Sequence, residues 1–193
     1  NGLKAVNEAP SGGEPKPYYI DGFKYLNVAS AEEYAATLEA FSAPPEFGVC
    51  DGTVGLQSGL FATQQPRKQF NLSYRTRVGN DIEGADHGSK MHLVYNALAK
   101  PSSRNNQTHG GSVSPLGLSG GITTNPPKAT GFKPTAHFVV DSRYTPVSVM
   151  SLIESVLYGT ESTAARFPTV AELITLFDAF IELRAQLVED GVY

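Results

Sequence analysis

The stretches that decide the fold are residues 69–78, QFNLSYRTRV, and residues 90–100, KMHLVYNALAK. Polar and apolar residues alternate in both, and a period of two is that of a strand with one buried face. We therefore predict two paired strands, joined by a polar connection over 79–88. The residues predicted to face the core are Phe70, Leu72, Tyr74, Thr76 and Val78 in the first strand and Met91, Leu93, Tyr95, Ala97 and Ala99 in the second.

Shorter elements are predicted ahead of this pair. Residues Lys16 to Val28 consist of two apolar runs around Asp21-Gly22, a dipeptide suited to the positive φ angles of a tight hairpin turn. Ser30 and Glu33 have the spacing of a helix capping box, which predicts a short helix over 31–41 that ends before two prolines. A further short strand is expected near residues 59–63.

The chain after residue 100 predicts a loop, a strand and two helices. Residues 102–133 are rich in Gly, Ser, Thr, Asn and Pro without periodicity, which indicates a long loop. Alternation resumes over 135–144 and predicts a strand. The dipeptide Thr145-Pro146 has the form of an N-cap and a first-turn proline, and the helical apolar stripe that follows ends at Gly159.

The second helix is predicted over 170–188, behind a capping box formed by Thr169 and Glu172. Its apolar residues cover more than the narrow stripe that one sheet would bury, which indicates a second partner, plausibly another subunit. The predicted fold class is α+β: an antiparallel β-sheet with an N-terminal hairpin and two C-terminal α-helices. The residues expected at the dimer interface are Leu173, Phe177, Phe180 and Ile181.

Length and composition favour one domain over residues 1–193, of which 40% are hydrophobic. No run approaches eighteen apolar residues, so we expect no membrane partner. The single cysteine, Cys50, excludes an internal disulfide and any zinc site with several thiolates. The net charge is −4, yet residues 67–104 hold seven basic and three acidic residues, a local balance of 7 − 3 = +4 that suits an anionic ligand.

The order of these elements resembles that of the coat proteins of small single-stranded RNA bacteriophages. The resemblance covers residues 16–193 and is best over residues 74–78 with 90–101, and next over residues 137–159; the closing Gly191-Val192-Tyr193 agrees with it. The chain differs from the family in its extra helix near 31–41 and its enlarged loop over 102–133. The resemblance implies an intertwined dimer in which the helices of each subunit cover the sheet of its partner.

The resemblance also implies a function. Dimers would self-assemble into an icosahedral shell, located in the virion and assembled in the cytoplasm of a bacterial host. The inner sheet face would bind genomic single-stranded RNA and could repress translation through an RNA hairpin. Basic side chains would bind the phosphates of the RNA, and other polar side chains would bind its bases or riboses. The expected RNA-binding residues are Asn71, Ser73, Arg75, Arg77, Lys90, His92, Asn96 and His137.

Other functional classes find less support in the residues. The four histidines lack metal-ligand spacing, no serine lies in a nucleophile elbow, and the glycines near 110 and 120 do not link a strand to a helix as a phosphate cradle requires. We therefore expect no enzyme, no catalytic residue, no metal and no cofactor. Two alternatives remain: a head or tail subunit of a DNA phage without RNA binding, and a surface-binding module that uses the long loop.

Overall fold

The computed structural model of the chain describes residues 2–102, 118–128 and 131–189, with the side chains of the last helix described as far as Ala179. It confirms an antiparallel β-sheet protein with two C-terminal helices. A short 3-10 helix covers Pro45–Val49. The strands and helices, in chain order, are β1 (Leu3–Glu8), β2 (Ser11–Gly12), β3 (Pro15–Ile20), β4 (Phe23–Ala29), β5 (Glu32–Glu33), β6 (Ala35–Ala40), β7 (Val54–Gln57), β8 (Leu60–Ala62), β9 (Phe70–Asn80), β10 (Gly84–Ala99), β11 (Leu118–Thr124), β12 (His137–Asp141), α1 (Val147–Tyr158) and α2 (Val170–Glu189).

The chain divides into two compact units. Unit 1 comprises Asn1–Phe70 and Tyr95–Asn125, and unit 2 comprises Asn71–Val94 and Pro126–Tyr193. The long strand β10 contributes its residues up to Val94 to unit 2 and the remainder to unit 1.

Unit 1 is built on the antiparallel strands β1, β6 and β11 with the last residues of β10, in that order. Ala36 lies opposite Ile122 in the register of β6 and β11, and both residues are buried in the core of the unit. The residues of β10 that were predicted to face the core from this unit are buried as well, namely Tyr95, Ala97 and Ala99.

A long β-hairpin arm continues from β1 and β6 and includes the predicted hairpin. Strands β3 and β4 pair antiparallel, with Tyr18 opposite Leu26 and Ile20 opposite Phe23. Asp21 and Gly22 form the turn with φ angles of 49° and 80°, as the tight turn requires. Strands β2 and β5 pair below it. The hairpin prediction over 16–28 is confirmed.

The helix predicted over 31–41 is wrong, because those residues form β5 and β6. Strand β6 pairs with β1 on one edge and with β11 on the other, so its backbone groups are satisfied by two neighbours. A helix of about three turns has little intrinsic stability against such pairing. The Ser30 hydroxyl does not cap a helix and instead accepts a hydrogen bond from the backbone N–H of Gly13 at 3.1 Å.

The long loop predicted over 102–133 is wrong in part. Residues 118–124 form β11, which lies between β6 and β10. Residues 103–117 and 129–130 lie outside the described residues. The sequence of β11, LSGGITT, has two glycines and no polar alternation, so its local pattern resembles a loop although its neighbours on both sides hold it as a strand.

Unit 2 contains β9, the first part of β10, β12 and both helices. The connection between the two central strands is shorter than predicted, because β9 extends to Asn80 and β10 begins at Gly84. The core residues of the unit are contributed by both strands and helices, and include Met91, Leu93, Val140, Val149, Ile153 and Leu173.

Both C-terminal helices are confirmed, and the hydrogen bonding at their N-termini differs. Helix α1 begins after Pro146 without a side-chain cap, so the N-cap role predicted for Thr145 is wrong; Thr145 is buried and its N–H donates to Asp141 O at 3.0 Å. Helix α2 begins with the predicted capping box: the Thr169 N–H donates to Glu172 Oε2 at 2.8 Å, and the Glu172 N–H donates to Thr169 Oγ1 at 3.2 Å. Within the described residues, neither helix is long and apolar enough to cross a membrane.

Candidate nucleic-acid interface

His92, in the middle of β10, is the centre of a polar cluster in unit 2. The residue is only 8% exposed. His92 Nε2 lies 2.9 Å from Thr76 Oγ1, and His92 Nδ1 lies 3.0 Å from His137 Nε2. The Tyr74 ring stacks on the imidazole with centroids 4.4 Å apart and planes inclined by 4°. A buried imidazole is therefore held by neighbours from both adjoining strands.

The strand register places these residues on one face of the sheet. His92 lies opposite Val139, Lys90 opposite Asp141, and Val94 opposite His137 in the pairing of β10 with β12. Residues two apart in a strand share a face, and directly opposed residues share a face, so Lys90, His92 and His137 lie together. We call this surface the histidine face and define it by Tyr74, Thr76, Lys90, His92 and His137.

The predicted grouping of the arginines with the histidines is wrong. Arg75 lies between Tyr74 and Thr76 in β9, so its side chain projects from the opposite face, where it forms an ion pair with Glu154 of α1. Asn71, Ser73 and Arg77 share the parity of Arg75 in the same strand. The polar series of β9 therefore belongs to the helix-covered side, while Tyr74 and Thr76, which were predicted to face the core, lie with His92.

The physical reason is that alternation orders the residues within one strand only. Each predicted alternation is correct by itself, but the relative parity of two strands depends on their pairing register. In the sequence, the only indication that Tyr74 belongs to the polar cluster is that its aromatic ring lies between two polar residues, Ser73 and Arg75.

Asn96 belongs to unit 1 and has a local structural role there. It adopts a φ of 49°, the left-handed conformation that asparagine tolerates better than most residues. Its side-chain amide donates to Asn125 O at 3.1 Å, and the Asn125 N–H donates to Asn96 O at the same distance. Asn96 lies in unit 1 and His92 in unit 2, so Asn96 is described apart from the histidine face.

The residues expected at a dimer interface are described in part. Leu173 is 4% exposed and packs inside unit 2, whereas Phe177 is half-buried. The side chains of Phe180 and Ile181 lie outside the described residues. Among the described residues of α2, Phe177 is therefore accessible to a partner subunit, whereas Leu173 is not.

Two charged neighbours extend the histidine face at the end of β12. The Arg143 guanidinium donates to both Asp141 carboxylate oxygens, at 2.9 Å and 2.6 Å, and the Arg143 N–H adds a third bond at 3.0 Å. These bonds, first the one from the guanidinium side chain, lower the pKa of Asp141 to about 2. With Lys90 opposite Asp141, this corner brings together two basic side chains and one acidic side chain.

The two histidines are joined by a hydrogen bond between their rings. Their facing nitrogens are 3.0 Å apart while their ring centroids are 5.2 Å apart, so the imidazoles meet through their edges. Each neutral imidazole has one donor and one acceptor nitrogen, so a chain from Thr76 through His92 to His137 can run in either direction. Such a chain links the buried His92 to Thr76 and His137 on the same face of the sheet.

The sequence matches no protein-family model, and a search of curated proteins finds no match.

Proposed function

We propose that the chain is the coat subunit of a small single-stranded RNA bacteriophage, which dimerises, assembles into a closed shell and binds RNA through the histidine face. The observation that carries the proposal is the difference between the two faces of the unit 2 sheet. One face is covered by α1, to which Arg75 is tied through Glu154. The other presents the Lys90 cation, the His137 imidazole, the Thr76 hydroxyl and the Tyr74 ring, with His92 buried among them.

The chemistry of the histidine face suits RNA better than duplex DNA. Lys90 can neutralise a phosphate, His137 and the Thr76 hydroxyl can bond to bases or to 2′-hydroxyls, and Tyr74 can contribute stacking, while the buried His92 holds Thr76 and His137 in place. A single-stranded nucleic acid can lay its bases on a sheet in this way, whereas duplex readout uses an element that enters a groove. This favours single-stranded RNA as the ligand.

An open sheet edge supports a dimer. In the described residues of unit 2, β12 pairs with β10 on one side and with no strand on the other. An unpaired edge leaves a row of backbone donors and acceptors that another strand can complete. Pairing of β12 with the β12 of a second copy would double the histidine face and give a larger surface for RNA.

The direct test is expression of the full chain in bacteria, followed by purification and negative-stain microscopy. We expect spherical particles whose absorbance ratio at 260 and 280 nm shows nucleic acid, and whose contents are degraded by ribonuclease and not by deoxyribonuclease after disassembly. Tubes or rings free of RNA would instead favour a DNA-phage tail subunit. Discrete monomers would contradict both structural functions.

A further inference from the structure

His92 and His137 bring two potential metal-binding nitrogens together inside unit 2, although 45 positions separate them in the chain. They lie on neighbouring strands, where His137 is opposite Val94 and therefore diagonal to His92. His92 Nδ1 and His137 Nε2 are 3.0 Å apart. The histidine spacing along the chain predicted no metal site, because the pairing of β10 with β12 sets this distance.

The distance between the two nitrogens suits two ligands of one transition-metal ion. Zinc binds imidazole nitrogen at about 2.0–2.1 Å, so two nitrogens on one tetrahedral zinc lie about 3.3–3.4 Å apart. On tetragonal copper or nickel, two nitrogens at right angles lie about 2.8–3.0 Å apart at similar bond lengths. The observed 3.0 Å agrees with the right-angle arrangement and is a few tenths of an ångström short of the tetrahedral one. A small rotation of one ring would place both nitrogens on a single ion.

The neighbours of His92 hold its ring as a metal ligand requires. His92 Nε2 lies 2.9 Å from Thr76 Oγ1. When the Nε2–H donates to this hydroxyl, the lone pair of His92 is on Nδ1, the nitrogen that faces His137. The Tyr74 ring, stacked at a centroid distance of 4.4 Å, restrains the plane of the imidazole. Metal-binding histidines almost always donate their other ring N–H to such an outer partner, which fixes their tautomer and orientation.

Burial and charge at the pair favour an ion that prefers nitrogen. His92 is buried, whereas His137 is half-buried, so an ion can approach from the side of His137. Lys90 lies on the same face, but it is opposite the carboxylate of Asp141, which offsets its charge. The two ligands are imidazoles, which suit zinc, copper and nickel, whereas magnesium and calcium take oxygen ligands.

We propose that His92 and His137 bind one divalent transition-metal ion of the zinc, copper and nickel class, with Thr76 as a positioning residue. On binding, the ion replaces the hydrogen bond between the rings. The His137 ring changes tautomer, since the proton leaves Nε2 and Nδ1 takes one up, so the neutral pair loses no net proton. Water completes the coordination. The inference goes beyond the proposed coat function, because it requires neither RNA nor a second copy of the chain.

Equilibrium dialysis of the full chain against ZnCl₂ tests the site, after EDTA has removed any metal from the protein. We expect His137→Gln to weaken zinc affinity by at least about tenfold, because it removes a ligand. His87→Gln is the matched control, since His87 lies near the start of the same strand and is bound to Glu83; it should bind zinc like the parent. Equal affinity of the parent and His137→Gln would overturn the proposal, as would displacement of the zinc by an equal concentration of MgCl₂.

Thr76 provides a second comparison, because its role is to orient His92. Thr76→Val removes the hydroxyl with little change of shape and should weaken zinc affinity by about 10–100-fold. Thr76→Ser retains the hydroxyl and should bind zinc like the parent. The same zinc affinity in both variants would contradict the positioning role.

Chemical modification of the parent protein gives a test that does not depend on how the variants fold. Diethyl pyrocarbonate modifies accessible imidazoles, and peptide mass mapping identifies which ones react. At a free zinc concentration of about ten times the Kd, His137 should react about tenfold more slowly, because only about a tenth of the sites remain free. His87 should react at an unchanged rate. Undiminished modification of His137 in the presence of zinc would overturn the proposal. Failure of the coat function would appear separately, as a chain that binds zinc but forms no RNA-containing particles.

Discussion

His92 Nδ1 and His137 Nε2 lie 3.0 Å apart and join the central strand β10 to the edge strand β12 through a side-chain hydrogen bond. The bond lies beside the backbone ladder that pairs Val94 with His137. Because His92 is almost fully buried, its ring nitrogens depend on protein partners for their hydrogen bonds.

Removing one member of the pair should therefore cost stability. His137→Leu deprives His92 Nδ1 of this partner, and we expect a loss of about 1–3 kcal/mol in the free energy of unfolding. The double variant His92→Leu with His137→Leu should lose less than the sum of the single variants, with a coupling of about 0.5–3 kcal/mol. Urea unfolding measures all three. As a control, His92→Leu combined with the distant Glu161→Gln should give additive losses. If the two histidine substitutions are also additive, the two imidazoles do not interact.

The two faces of the sheet should respond differently to removal of a cation. If the histidine face binds RNA, Lys90→Gln should flatten the plot of log affinity against log salt by about 0.7 for each phosphate that is no longer neutralised. Arg77→Gln, which removes a cation from the helix-covered side, should leave the slope unchanged. Filter binding of single-stranded RNA across a salt series gives both slopes. A change in slope for Arg77→Gln alone would place the RNA on the opposite face.

Gly159 ends α1 in a conformation that a side chain cannot adopt without strain. Its φ and ψ are 76° and 174°, and an added Cβ would lie 2.7 Å from Thr163 O and 2.8 Å from Ala165 N. We expect Gly159→Ala to destabilise the protein by about 3 kcal/mol or more, from strain and backbone displacement together.

Gly131 is the matched control for that substitution. Its φ is 82°, but an added Cβ would meet no described residue within 4 Å, so Gly131→Ala should cost only the backbone strain of about 1–2 kcal/mol. Chemical denaturation of both variants checks the difference. Equal losses would mean that the close approach at Gly159 relaxes freely.

Glu172 should make stability depend on pH in the acid range. The bidentate bond from Arg166, at 2.8 Å and 2.9 Å, and then the bond from the Thr169 N–H, lower the pKa of Glu172 from 4.5 to about 2. Folding therefore favours the carboxylate, and the resulting stabilisation is complete above pH 4.5 and lost as the pH falls toward 2.

The expected result is a difference between the parent and Glu172→Gln that is constant near neutral pH and shrinks between pH 4.5 and 2. Thermal unfolding at a series of pH values measures it. Glu161→Gln, at an exposed carboxyl, serves as the comparison. A parent-to-variant difference that stays constant across the whole acid range would show that the capping box and Arg166 do not bind the ionised form preferentially.

Asn96 should tolerate glycine and reject a branched residue. The left-handed φ of 49° favours glycine and asparagine, and glycine would lose only the side-chain bond to Asn125. Asn96→Val adds a conformational penalty of about 1–2 kcal/mol to that loss. We expect Asn96→Gly to unfold at a higher urea concentration than Asn96→Val. The reverse order would indicate that β-propensity outweighs the backbone conformation at this position.

Local signals in the sequence determined many of the elements. The Asp21-Gly22 turn, the alternation in the strands around Tyr74 and Leu93, and the capping box of Thr169 and Glu172 are all present in the structure. Each depends on residues within a few positions of one another, so the physical cause is contained in the sequence that shows it. The same holds for the end of α1 at Gly159.

Only the tertiary structure decided which faces and strands come together. It paired His92 with Tyr74 and Thr76 in place of Arg75, turned residues 35–40 into a strand between β1 and β11, and brought His137 to His92 across 45 positions. A period of two assigns residues to alternate sides of their own strand but does not specify how neighbouring strands are aligned. That alignment is set by hydrogen bonds and packing between distant segments, and a shift of one residue exchanges the faces.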